Sequence, residues 1–214
     1  MNIKKIKPGF TLAEVLITLV VIGVVTAITI PLVFANYDSR KNRAMLRNNF
    51  SMLAEAHSRA HSLYYDNFSD WLEEHQDSLQ KDYYEMFIKT INVKEKCDND
   101  KTGCWGTSKT RNGTVISGSS NTGLSSSDYT FSVNSGTSVS VDAWDNSKVN
   151  SVAGVKNNLY ESGKSIILAV DNNGPVKPNT IGKDLFLFVI TKDGIIPAGA
   201  NKETAECNSN DADS

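Results

Sequence analysis

Twenty consecutive residues, Val15 to Phe34, carry no charge. At about 1.5 Å of rise per residue, a helix of that length reaches roughly 30 Å, one hydrocarbon core. Val, Ile and Leu dominate the run, with Thr18, Gly23, Thr26 and Thr29 between them. Propensity alone favours a strand. Length and lack of charge decide for a spanning helix, which satisfies its own backbone in lipid. Lys4, Lys5 and Lys7 precede the run, and one carboxylate, Glu14, opens it. The lysines and the initial amine predict a cytoplasmic N-terminus, with the rest of the chain outside. A carboxylate at the head of a membrane helix is costly and calls for a partner.

A cleaved secretory signal is the competing reading, with Val33-Phe34-Ala35 as its cut site. Such a signal has an apolar region of about 7–15 residues. Here the run is longer, contains Pro31 and opens on a charge. The chain's formal charge of -2 conceals an asymmetry: residues 1–47 carry seven Lys/Arg and two Asp/Glu, and residues 48–214 carry fifteen and twenty-two. An acidic outer part does not attract phosphate backbones, so nucleic acid is not the expected partner. Arg40, Lys41, Arg43 and Arg47 form a local basic collar, read as a solvated face beside the membrane.

The segment Gly9-Phe10-Thr11-Leu12-Ala13-Glu14-Val15-Leu16-Ile17, behind its short basic leader, resembles the processing signature of type IV pilins and type II secretion pseudopilins. The resemblance covers about the first 35 residues. It implies cleavage between Gly9 and Phe10 by a prepilin peptidase, methylation of the new Phe10 amine, and assembly with other pilin or pseudopilin subunits on an inner-membrane platform. Gly23 and Pro31 fall where such chains often loosen the helix; Pro8 departs from the Lys, Arg or polar residue usual there. The residues agree on chemical grounds. Gly9 leaves the scissile carbonyl open. Glu14, one turn from Phe10, would pair with the Phe10 amine of a neighbouring helix, a contact suited to fixing register. Pro31 lacks an N–H, so a kink or melted stretch is expected between Gly23 and Pro31.

The expected organisation is a leader (1–9), a membrane and filament-core helix (10–35), an outward half of the same helix (36–66) and a globular head (67–214). The fold class is α+β, a long N-terminal helix packed on an antiparallel sheet. Leu46, Phe50, Leu53, His57, Ala60 and Tyr64 recur at spacings of three and four, an inward stripe, while Asp38, Arg40, Arg43, Asn49, Glu55 and Arg59 fill the other surface. A second helix is expected from about Gln76 to Ile91, with Trp71 and Leu72 in the turn before it. Residues 106–140 are crowded with Ser, Thr, Gly and Asn and read as loops and short exposed strands. Ser165–Val170 and a final hairpin, Leu185–Ile196, turning at Lys192-Asp193-Gly194, read as strands.

Cys97, Cys104 and Cys207 lie in the outward part, where disulfides persist. Cys97–Cys104, Cys97–Cys207 and Cys104–Cys207 all remain open. His57 and His61 stand four apart, as two metal ligands on a helix would, but no third ligand suggests itself and they are read as surface or core-edge histidines. The stretch 171–184 is similar to the tail of many pseudopilin-like chains, some of which use calcium there. Asp171, Asn173 and Asp184 are the candidate ligands, and turn chemistry is the preferred account of the same residues. No cofactor is expected.

No Gly-x-Ser-x-Gly, P-loop or zinc-protease helix occurs in the sequence, so the expectation is a structural subunit rather than an enzyme. A minor pilin or a pseudopilin is favoured by the large Ser/Thr-rich head. The alternatives are a membrane-anchored binding module on the outer side and a DNA-uptake pilin.

Overall fold

The computed structural model describes residues 9–64, 68–98, 103–116, 129–155, 159–161 and 163–199. Helix α1 (Leu12–Tyr64) runs through 53 residues with Pro31 inside it. The chain divides into two compact units, Met1–Lys41 and Asn42–Ser214.

In the first unit α1 buries almost nothing. Leu16 is 54% exposed, Ile22 62% and Phe34 62%. Leu12–Pro31 is long and apolar enough to cross a membrane. The hydroxyls of Thr18, Thr26 and Thr29 donate to the carbonyls of Val15, Ile22 and Val25 at 2.9, 2.6 and 2.9 Å, so these side chains are satisfied within their own helix. The stretch between Gly23 and Pro31, expected to loosen, is helical throughout. A single proline removes one backbone bond without ending a helix whose other residues favour it.

In the second unit α1 meets a six-stranded sheet. The strands are β1 (Val93–Asp98), β2 (Tyr129–Val133), β3 (Ser138–Asp145), β4 (Lys164–Asp171), β5 (Leu185–Thr191) and β6 (Gly194–Pro197), in sequence order across the sheet. Every neighbouring pair is antiparallel. The expected α+β architecture is therefore present. The last hairpin pairs Ile190 with Ile195 and Thr191 with Gly194, as the Asp-Gly signal implies.

One sheet face packs against α1, α2 (Phe68–Glu74) and α3 (Leu79–Phe87), with Leu53, Ala60, Phe87, Phe131, Leu168 and Ile190 at its centre. The opposite face is covered in part by α4 (Asn146–Lys148) and a π-helical turn (Val149–Ala153), where Trp144, Val149, Ile167 and Val189 meet. In β4, Ile166, Leu168 and Val170 serve the first face and Ile167 the second, the period of two that a strand imposes. Both faces are covered, so β4 reads as an unbroken apolar run.

Three expectations are corrected. Trp71 and Leu72 belong to a helix of their own, α2, because Phe68, Trp71 and Leu72 at i, i+3 and i+4 make one buried face. The helix expected over Gln76–Ile91 is shorter, ending at Phe87, and Thr90 beyond it donates to the Ala56 carbonyl on α1. The stretch 106–140, expected as loops and short exposed strands, contributes β2 and the start of β3 among its described residues, and Phe131, Ser138, Val139 and Ser140 there are fully buried. Ser138 fits because its hydroxyl donates to the Cys104 carbonyl of the segment 103–116.

Asn49, expected on the solvent face of α1, is 1% exposed. Its amide donates to Asn172 Oδ1 at 2.8 Å and its own oxygen accepts from Thr137 at 3.1 Å. Asn172 in turn donates to the Asn42 carbonyl at 3.1 Å. The network ties α1 to the β2–β3 and β4–β5 connections. Those two turns touch: a Cβ at Gly174, already at φ +62°, would lie 2.7 Å from the Gly136 carbonyl, so only glycine fits. Asn49→Ala leaves buried partners without their bonds and is expected to cost about 1–3 kcal/mol, measured by thermal melting.

Candidate processing and assembly site

Gly9, Phe10 and Thr11 precede α1. No described residue lies within 4 Å of where a Gly9 Cβ would stand, and Phe10 is 90% exposed. The expected cut site is thus open on both sides of its bond. At the first turn, the Thr11 amide donates to Glu14 Oε2 at 2.9 Å, and the Glu14 amide donates to Thr11 Oγ1 at 3.2 Å. The Thr11 hydroxyl also donates to Glu14 Oε2 at 2.9 Å. This reciprocal pair is a capping box, and it satisfies amides that a helix start leaves without partners. The sequence reading gave Glu14 a partner only on another chain. Thr11-x-x-Glu14 is the signature that reveals the partner on its own chain. A carboxylate has about four lone-pair sites, so capping leaves capacity for a cation. The box also faces Glu14 towards the helix start, where the Phe10 amine of a cut chain would lie.

Gly23 meets nothing within 4 Å inside the chain. Its lack of a side chain therefore answers no contact among the described residues.

In the head, Cys97 and Cys104 are joined in a disulfide. Cys207 lies outside the described residues. The bridge closes the loop that leads to Trp105, which packs beside Ala169, Leu185 and Ile181. His57 is buried with its Nδ1 3.1 Å from the Tyr83 hydroxyl. Phe68 and His61 flank it edge-on, at centroid distances of 5.5 and 6.5 Å. Among the described residues no group of three or more His, Cys, Asp or Glu is placed to hold a metal.

The calcium candidates sit in the β4–β5 connection. Both Asp184 oxygens accept backbone amides, from Asn179 at 2.9 Å and Thr180 at 2.6 Å. Asp171 Oδ1 accepts the Asn173 amide at 3.2 Å, and the Asn173 side chain donates to the Val176 carbonyl at 2.6 Å. Asn173 Oδ1 is buried without a hydrogen-bond partner, but one amide oxygen beside two engaged carboxylates is a poor match for an ion that takes six to eight oxygens. These are Asx-type turn contacts. The loop is further held by the 103–116 segment, where the Lys109 amide donates to the Asn179 carbonyl and the Ile181 amide to that of Lys109.

Burial, and then the nearby Asp184, push the Asp171 carboxyl up to about 8 from 3.8. Burial, and then His61, push His57 down to about 4 from 6.5. Between pH 4 and 6.5 the unfolded chain holds the extra proton at His57, and the folded chain holds one at Asp171, so the two slopes oppose each other. From pH 6.5 to 8 only Asp171 acts, and stability is expected to fall as pH rises, by up to about 1.4 kcal/mol per unit. In Asp171→Asn that fall should vanish, leaving a stability that declines as pH drops from 6.5 towards 4. Chemical denaturation across this range measures both.

A family model, the prokaryotic N-terminal methylation motif, matches residues 4–30. No curated protein and no solved structure matches the chain. The matched region takes in the basic leader, Gly9, Phe10, the capping box and the apolar half-turns up to Ile30. The apolar helix and the matched motif fit a membrane-anchored protein. The N-terminal segment of this chain carries the signal motif of type IV pilins and pseudopilins, a group of structural subunits.

Proposed function

We propose that the chain is a structural subunit of a type IV pilus or type II secretion pseudopilus, made as a precursor and cut between Gly9 and Phe10. A prepilin peptidase removes the leader and methylates the Phe10 amine. The apolar half of α1 then holds the subunit in the inner membrane, N-terminus in the cytoplasm and head outside, until an assembly platform adds it to the filament. The observation that carries this reading is a helix with apolar side chains bare on every face, opened by a single carboxylate. Such a surface is stable in lipid or against copies of itself, and not in water.

Within the filament, Glu14 accepts the Phe10 amine of the adjacent subunit while it still caps its own helix through Thr11. The charge pair selects one stagger of the helices, since any other leaves an ammonium or a carboxylate in an apolar bundle. Gly23 gives the helices a place of close approach, and Pro31 a weak point in the backbone ladder. The head needs no metal: chelation is expected to leave its melting temperature unchanged, and a drop of several degrees would show that Asp171, Asn173 and Asp184 hold calcium.

The decisive measurement is the N-terminal mass of the protein recovered from membranes. The expected species begins at methylated Phe10, and an intact Met1 would overturn the reading. Glu14→Ala should be cut normally, yet its share in sheared filaments should fall about tenfold or more, the loss of at least 1.4 kcal/mol of assembly energy.

A further inference from the structure

Exposed cations outside any ion pair gather at one end of the head, and exposed carboxylates outside any ion pair gather at the other, where the Lys164 ammonium is engaged by the Gln76 carbonyl. One end is defined by the Asn49–Asn172 bond, where β4 finishes; the other by His57 against Tyr83 and by Lys164, which opens β4 and donates to the Gln76 carbonyl. At the first end, Arg43 and Arg47 stand one turn apart on α1, and Lys177 and Lys183 project from the β4–β5 connection, all four exposed. At the other end, Asp70, Glu73 and Glu74 of α2 and Asp77 after it are all exposed. None of these eight side chains forms an ion pair among the described residues. The helix between Arg47 and His61 spans about 21 Å, beyond the Debye length of roughly 8–10 Å, so the two patches do not satisfy each other within one chain.

We propose that the two patches are halves of one contact: the acidic α2 of one copy docks on the basic foot of the next. This rests on the filament reading and adds to it the head surfaces that meet. The occupant is a second copy because the chain itself supplies both signs, on opposite ends. Such a contact is heterologous and does not close on itself, the kind that builds open helical assemblies. It also rejects reversed neighbours, since foot against foot or α2 against α2 brings like charges together. Glu14 and the Phe10 amine set the stagger inside the bundle, and the poles set the order of the heads.

The test is charge exchange in the full chain. Arg43→Glu with Arg47→Glu, and separately Glu73→Lys with Glu74→Lys, should each lower the share of protein in sheared filaments about tenfold relative to the membrane fraction. The four substitutions combined should restore most of it, which a variant that merely misfolds would not do. Either pair of reversals without effect would overturn the proposal. So would a combined variant no better than the single pairs, the outcome expected if the foot binds anionic lipid instead. Retention of the wild-type chain in filaments tests the filament reading separately; its absence there would overturn both.

Discussion

An apolar helix surface that no described residue of its own chain covers governs this protein. Each Val, Leu or Ile side chain moved from water into an apolar surrounding contributes about 1.5–3 kcal/mol. Among the described side chains from Val15 to Phe34, those of Val, Leu and Ile stand open on every face of α1. A surface of this kind fits a membrane-anchored protein. The polar groups along the way are arranged for that setting. Three threonines return their hydroxyls to the helix carbonyls. Glu14 is held by Thr11 through the capping box. Its charge is organised within the single chain, which limits the cost of keeping it at an apolar helix start.

The head follows a different rule. Its sheet is covered by helices on one face and by shorter segments on the other, so its strands are apolar on both sides or filled with small serines. What fixes α1 against it is polar: Asn49, Thr137 and Asn172 bond to one another in the interior. Buried amides of this kind specify a position more sharply than apolar contacts do, because a shift of one residue leaves donors and acceptors unpaired. The Cys97–Cys104 bridge and the 103–116 segment brace the adjoining turns, and the Asp184 carboxylate holds the amides of Asn179 and Thr180 in place.

The legible parts of the sequence were those whose signal is local. The apolar run, the stripe through Leu53, His57 and Ala60, β4, and the Asp193-Gly194 hairpin each announce themselves by period or by turn chemistry. β2 and β3 did not, because Ser132, Ser138 and Ser140 look like surface residues in sequence and are interior in the fold. Asn49 was placed outside for the same reason: an amide is polar in any sequence, and only a partner 123 residues away makes it a core residue. The capping box was readable as Thr11-x-x-Glu14, but the membrane setting drew attention to a partner on another chain.

The sequence by itself determined the membrane helix, the processing motif and the α+β class, since charge, length and periodicity act within a few turns of chain. Tertiary structure decided that Cys97 pairs with Cys104 and which serines and asparagines are interior. Those properties depend on residues far apart in the chain being brought together, and no local pattern encodes that.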